Sequence, residues 1–207
     1  VTGPDVIVVR TGTANVASIL AALGRLGATG RISSDPREVQ RADRLVLPGV
    51  GTFGAAMARL DSDGLVGPLR KRLDDDRPTL AVCVGMQLLL ETSEESPGAE
   101  GLRAFAGTLE PFSGDIRVPQ MGWNNVTASA DCRILASGYL YFANSYRLAA
   151  PPDGCAAATA DYGGRFVAAL ERGHLVACQF HPELSGVLGL DIMRRWLNGA
   201  GQERPSC

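Results

Sequence analysis

Histidine is nearly missing from this 207-residue chain. His174 and His181 are the only two, so any imidazole-dependent chemistry has just two candidates. Cysteine is sparse and lacks a pairing pattern: Cys83, Cys132, Cys155, Cys178 and Cys207 are odd in number and widely spaced. No two stand in Cys-x-x-Cys spacing, which argues against a zinc knuckle or a thioredoxin-like site. A net charge of −2 carries no basic surplus, so neither nucleic acid nor an anionic membrane is the expected partner. No apolar run approaches the ~20 residues of a membrane span, and the N-terminus has no charged-then-apolar leader. The expectation is a cytoplasmic protein with reduced thiols, no metal and no cofactor. Internal repeats and low-complexity linkers are lacking as well. What remains is 45% hydrophobic and 20% charged residues, enough for a real core.

Val6-Ile7-Val8-Val9 is a β-branched run of the kind buried on both faces of a parallel sheet. Thr11–Ala14 reads as a turn, Asn15 as a helix cap, and Val16, Ile19, Leu20, Leu23 and Leu26 recur at helical spacing up to Gly27. Strands are expected at Thr29–Ile32 and Leu45–Leu47. Helices are expected from Ser34-Asp35-Pro36 onward and through Ala55–Leu60 and Leu65–Leu73. This alternation implies βαβ units. After Glu91 the pattern changes: Ser93–Gly101 reads as an acidic surface loop, and Leu109–Val176 holds short apolar runs separated by turns, among them Tyr162-Gly163-Gly164. A last helix spans Ser185–Asn198, carrying Val187, Leu190, Met193, Trp196 and Leu197. The tail 199–207 reads as frayed. The fold class expected is α/β, a mostly parallel central sheet flanked by helices with an added β-rich second half, and residues 1–207 as one domain.

Two stretches carry chemistry. Pro78–Leu90 starts as a β-branched run, reaches Cys83 and Gly85, and continues as a Leu-rich helix. A strand that turns at once into a helix holds its turning residue on a sharp corner, with the side chain exposed at the sheet's edge and close to a helix N-terminus. Read by itself, Cys83 is equally a nucleophile and a small buried hydrophobe. The second stretch is Gln179-Phe180-His181-Pro182-Glu183. Extended chain before and through Pro182 would point His181 and Glu183 the same way, as base and orienter for a thiol. Gly49-Val50-Gly51-Thr52-Phe53-Gly54 matches Gly-x-Gly-x-x-Gly, but the acids that follow at the required distance, Asp74–Asp76, end a helix rather than a strand. The loop's bare backbone better suits donation to an oxyanion at Cys83. His174 beside Gly173 reads as a solvated turn residue. Met121–Asn125 and Tyr141–Tyr146 read either as strand packing or as substrate or partner contact.

Taken together, these segments resemble the class I (triad) glutamine amidotransferases. More closely, the chain is similar to the glutaminase subunits of imidazole glycerol phosphate synthase. The likeness runs from about Val6 to Leu197 and is carried by Leu47–Phe53, Cys83–Leu88, Pro119–Asn124 and Gln179–Glu183. It implies that Cys83 attacks the side-chain amide of L-glutamine, with His181 shuttling the proton and Glu183 orienting His181. It further implies an oxyanion hole from backbone N–H groups of Val84 and of Gly49, Val50 and Gly51, and glutamine binding by Gln87, Ser145 and Tyr146. Asn15, Met121 and Trp123 would lie towards a (β/α)8-barrel cyclase subunit, the partner in a heterodimer, which receives the ammonia in histidine biosynthesis. The chain departs from the family's pattern at Ala81 (usually glycine), Gln120 and Asn144 (usually histidine), Leu184 (typically lysine) and Arg10-Thr11 after the first strand. The triad is intact. The other departures leave a paralogue serving a different synthase as an alternative, ahead of a stand-alone cysteine hydrolase or a non-catalytic binding module.

Overall fold

The computed structural model describes residues 3–11 and 16–199. The expected Asn15 cap, most of the Thr11–Ala14 turn and the tail beyond Gly199 lie outside them. The first half alternates as its apolar runs dictate: β1 (Asp5–Val9), α1 (Val16–Arg25), β2 (Thr29–Ser33), α2 (Pro36–Arg41), β3 (Leu45–Gly49), α3 (Phe53–Ser62), α4 (Val66–Asp74), β4 (Thr79–Cys83) and α5 (Val84–Gln87). The second half adds β5 (Thr92–Ser93), β6 (Thr108–Pro111), β7 (Gln120–Ala128), β8 (Gly138–Asn144), β9 (Tyr146–Arg147), β10 (Ala156–Asp161), β11 (Arg165–Arg172) and β12 (Leu175–Cys178), then α6 (Gly186–Gly199). Nine strands form one sheet in the order β2-β1-β3-β4-β12-β11-β10-β7-β8. The five from β2 to β12 run parallel, and the rest join antiparallel. The β-rich half therefore extends the first sheet, because β12 returns beside β4. A small sheet of β5, β6 and β9 lies apart.

Local chemistry accounts for most boundaries. Asp35 caps α2 by accepting from the N–H groups of Arg37 and Glu38, and Pro36 opens the helix. Gly27, at φ +77°, ends the run after α1. Helix α1 buries Ile19, Ala22 and Leu23, and α6 buries Ile192, Met193, Trp196 and Leu197. Arg72 is fully buried on α4 with its guanidinium spent on Thr79 Oγ1 and the carbonyls of Ala42 and Pro78. It ties the end of α2 and the start of β4 to α4. Burial, with Arg77 nearby, lowers its pKa to about 9.

Three expectations change. The Leu-rich helix after Cys83 stops at Gln87. Leu88, Leu89 and Leu90 leave it in turns and stay buried, because Leu102 and Phe105 take the carbonyls of Leu88 and Leu89. The segment after Ser93 is not simply a surface loop: Ser93 is buried, and Glu95 Oε2 accepts from the Phe53 N–H at 2.6 Å, capping α3. Val187, the first of the apolar residues carried by the last helix, is not part of its buried face: it is 85% exposed.

Candidate active site

Register sets the site. Gly49 at the end of β3 pairs with Cys83 at the end of β4, and Val82 pairs with Cys178 at the end of β12. Three parallel strands thus deliver their carboxyl ends side by side, where α/β sheets place ligands. Close approach there depends on glycine. A Cβ on Gly85 would stand 1.9 Å from Leu47 O, and one on Gly49 would stand 2.5 Å from Gly85 N. Ala81 is fully buried in β4 between Leu47 and Ala177, so its methyl group is accommodated.

Cys83 holds φ 55° and ψ −115°, a left-handed conformation rare for a residue with a side chain. This is the strained corner of a nucleophile elbow. The expectation of an exposed side chain is corrected: Cys83 is only 5% exposed, since the strands on both sides and the β7–β8 hairpin enclose it. Its Sγ lies 3.8 Å from Ala143 O. The sulfur opens into a cleft of about 140 Å³ lined also by Gly51, Val84, Gln87, Met121, Ser145 and Tyr146.

His181 continues β12. Its N–H donates to Tyr141 O at 2.8 Å, and its φ of −97° is extended. The chain does not stay extended, as expected from Pro182; it coils into a 3₁₀ turn, Pro182–Leu184, closed by Leu184 N–H to His181 O. The turn still brings the two side chains together, with His181 Nδ1 at 2.9 Å from Glu183 Oε1. Burial, the largest single influence, pulls the His181 pKa down. Hydrogen bonds to Cys83 and then to Glu183 outweigh it together and raise the pKa to about 10. Sulfur and carboxylate thus both favour the imidazolium form, with Glu183 in contact at Nδ1. Among the described cysteines, burial pushes the thiols of Cys132, Cys155 and Cys178 up, keeping them protonated.

The other expected residues divide. Gly51 (φ +86°) and Val84 line the cleft, whereas Gly49 and Val50 border a separate small cavity next to His181 and Glu183. Gln87 Nε2 donates to Gln179 Oε1 at 3.0 Å. Met121 and Trp123 are 68% and 56% exposed. Asn15 lies outside the described residues. His174 sits in the turn before β12, its N–H donating to Asp76. Two residues of the site carry no sequence signal of their own: Glu95, on the cleft wall within an acidic stretch, and Gln179, whose Nε2 faces Cys83 Sγ at 3.9 Å. Among the described residues, no three His, Cys, Asp or Glu side chains are grouped to hold a metal ion, and no helix is long and apolar enough to cross a membrane.

A strained cysteine facing a histidine and carboxylate at the carboxyl edge of a parallel sheet is a nucleophile–base–orienter set. Residues 8–197 match the family model described as glutamine amidotransferase class-I. The chain belongs to this family. Within the class I amidotransferases it groups with the HisH subunits. It is 40% identical over 195 residues to imidazole glycerol phosphate synthase subunit HisH of Methanothermobacter thermautotrophicus, covering 93% of this chain and 97% of that one. It is also 40% identical to the chloroplastic imidazole glycerol phosphate synthase hisHF of Arabidopsis thaliana, where the match takes up 33% of a longer protein and 90% of this amidotransferase. A solved structure, a crystal structure of glutamine amidotransferase, superposes with a TM-score of 0.76 at 20% identity, covering 95% of this chain and 99% of that one, which supports the shared fold.

Proposed function

We propose that this amidotransferase is the glutaminase subunit of an imidazole glycerol phosphate synthase, acting as one unit in the cytoplasm with Cys83, His181 and Glu183 as its triad. The observation that carries the reading is the His181–Glu183 pair, 2.9 Å apart, set against a cysteine at positive φ. Glutamine enters the cleft with its side-chain amide at the sulfur. Glu95 on the wall suits the α-ammonium group, and Gln87, Ser145 and Tyr146 bound the remainder. Sγ attacks the amide carbon, and the oxyanion draws on backbone N–H groups of Val84 and of the Gly49–Gly51 loop. The protonated His181 gives its proton to the departing ammonia, leaving a γ-glutamyl thioester on Cys83. Neutral His181, oriented by Glu183, then takes a proton from water, which attacks the thioester and releases glutamate.

The ammonia would pass to a (β/α)8-barrel cyclase subunit docked over Met121 and Trp123. Identity of 40% along nearly the full length of the HisH relative favours the histidine-pathway synthase over a paralogue. The test is glutamate release with and without a histidine-pathway cyclase and its ribonucleotide ligand. Strong stimulation is expected. Cys83→Ala should abolish glutamine-dependent synthesis while synthesis from ammonium salt persists in the complex. Loss of both activities, or turnover indifferent to the cyclase, would overturn the reading.

A further inference from the structure

Gln179 is a buried polar group that the triad chemistry leaves without a role. It is 1% exposed, next to fully buried Cys178 and Phe180, and its backbone N–H is committed to Ala168 O at 2.8 Å. An amide in such surroundings is costly unless paired, and an apolar side chain would fit the same core more cheaply. Its side chain bridges two elements of the site. Oε1 accepts from Gln87 Nε2 at 3.0 Å, and Nε2 faces Cys83 Sγ at 3.9 Å.

The two amides fix each other's sense. Turning Gln179 alone would set two NH₂ groups against each other, so Gln87 holds the Gln179 nitrogen towards the sulfur. Turning both preserves their mutual bond but presents Gln179 Oε1 to Sγ, an arrangement suited to an S–H donor. The pair thus has one arrangement for each protonation state of the sulfur. The arrangement seen here is the one that donates to a thiolate.

We propose that Gln179 is a positioning residue for the nucleophile: its amide, oriented by Gln87, donates to Cys83 and favours the anionic sulfur alongside His181. Gln87 also lines the cleft, so a ligand that engages Gln87 acts on the donor facing the sulfur. The substrate pocket and the nucleophile are linked through one buried amide pair. This inference rests on Cys83 being the nucleophile.

The experiment is alkylation of the full-length protein by iodoacetamide across pH, without glutamine, with modification of Cys83 followed by peptide mass spectrometry. Gln179→Met should slow Cys83 alkylation near neutral pH by about three- to tenfold, the range expected for losing one weak bond to a charged acceptor. Its pH profile should move upward while the high-pH plateau stays near wild type. A purely structural role would lower the plateau without moving the profile. Gln87→Met removes the partner that fixes the sense of the Gln179 amide without adding a charge beside the sulfur, and it should move the profile the same way. It serves as the test if Gln179→Met does not fold. Profiles that superpose on wild type overturn the proposal. Shifted profiles in a protein that releases no glutamate would leave the amide pair intact and remove the glutaminase reading. Unshifted profiles in an active glutaminase would remove only the role of Gln179.

Discussion

At the scale of single residues, His181 ties chemistry to stability. Its folded-state pKa of about 10 lies above the ordinary value of 6.5. The folded state therefore binds a proton more tightly than the unfolded one. The resulting stabilisation is complete below pH 6.5 and disappears as pH rises towards 10. Removing the carboxylate should remove part of that slope. Between pH 6.5 and 10, urea unfolding should show wild type losing more stability than Glu183→Gln; equal losses would mean that the ion pair contributes nothing to folding. The same variant should lower glutamine turnover by roughly a hundredfold or more, since the base loses its orienter. Gln120 presents the opposite case. Both polar atoms of its amide are buried without a partner, and it pairs across the hairpin with Asn144, whose Oδ1 is also unpartnered. Gln120→Met keeps the shape and removes the unpaired groups, so it should raise unfolding stability by about 1 kcal/mol. A fall would show that the amide finds partners in solution. Cys83, His181 and Glu183 were legible because each sits in a short segment of distinctive chemistry. Glu95 and Gln179 were not, because their roles come from residues distant in sequence: Phe53 for one, Gln87 and Cys83 for the other.

At the scale of elements, the elbow depends on one glycine more than on helix propensity. A Cβ on Gly85 would meet backbone, the Leu47 carbonyl oxygen at 1.9 Å, and no flexible side chain can give way. Gly85→Ala must push α5 off β3 and displace Cys83, costing about 3 kcal/mol and most of the glutaminase activity. Gly24, exposed on α1, has no non-neighbouring atom within 4 Å of its Cβ position, so Gly24→Ala should be neutral to stabilising by up to about 1 kcal/mol. Chemical denaturation of the two variants separates close packing from helix propensity; similar values would contradict the distinction. The sequence was most readable at this scale where a run had one face or two to bury: β1, β3, β4 and the β10–β11 hairpin lie where alternation and turn residues put them. It failed where a tertiary contact ended an element. Four leucine and methionine positions after Cys83 favour a helix, yet loop backbone at Leu102 and Phe105 claims the carbonyls of Leu88 and Leu89 and stops it. Pro182 likewise promised extended chain, but its fixed φ also suits the first position of a 3₁₀ turn, which the Leu184 N–H closes.

At the scale of the whole molecule, several of the large apolar side chains exposed among the described residues border the site. Strands β7 and β8 pair Trp123 with Tyr141 and Asn125 with Tyr139, and directly opposed residues share a face. Met121, Trp123 and Tyr139 therefore stand on one side of the hairpin, all exposed. The Trp123 ring meets Tyr141 edge-on at 6.1 Å and lies 3.9 Å from the Cβ position of Gly186, which is flanked by exposed Leu184 and Val187. That surface continues to the mouth of the Cys83 cleft, which Met121 also lines. A partner covering it would seal the exit of ammonia from bulk water. Aromatic residues at the centre of such patches carry a disproportionate share of binding energy, commonly 2 kcal/mol or more on truncation. Trp123→Ala should weaken cyclase binding by about thirtyfold or more, the ratio that 2 kcal/mol sets, as measured by titration calorimetry. Coupled synthesis from glutamine should fall at limiting partner and recover as the partner is raised. Leu184→Lys, on the rim, should change binding by less than tenfold and do so mainly at low salt. Unchanged affinity in Trp123→Ala would move the docking surface elsewhere, and a defect that excess partner cannot repair would place Trp123 in the chemistry instead of the interface.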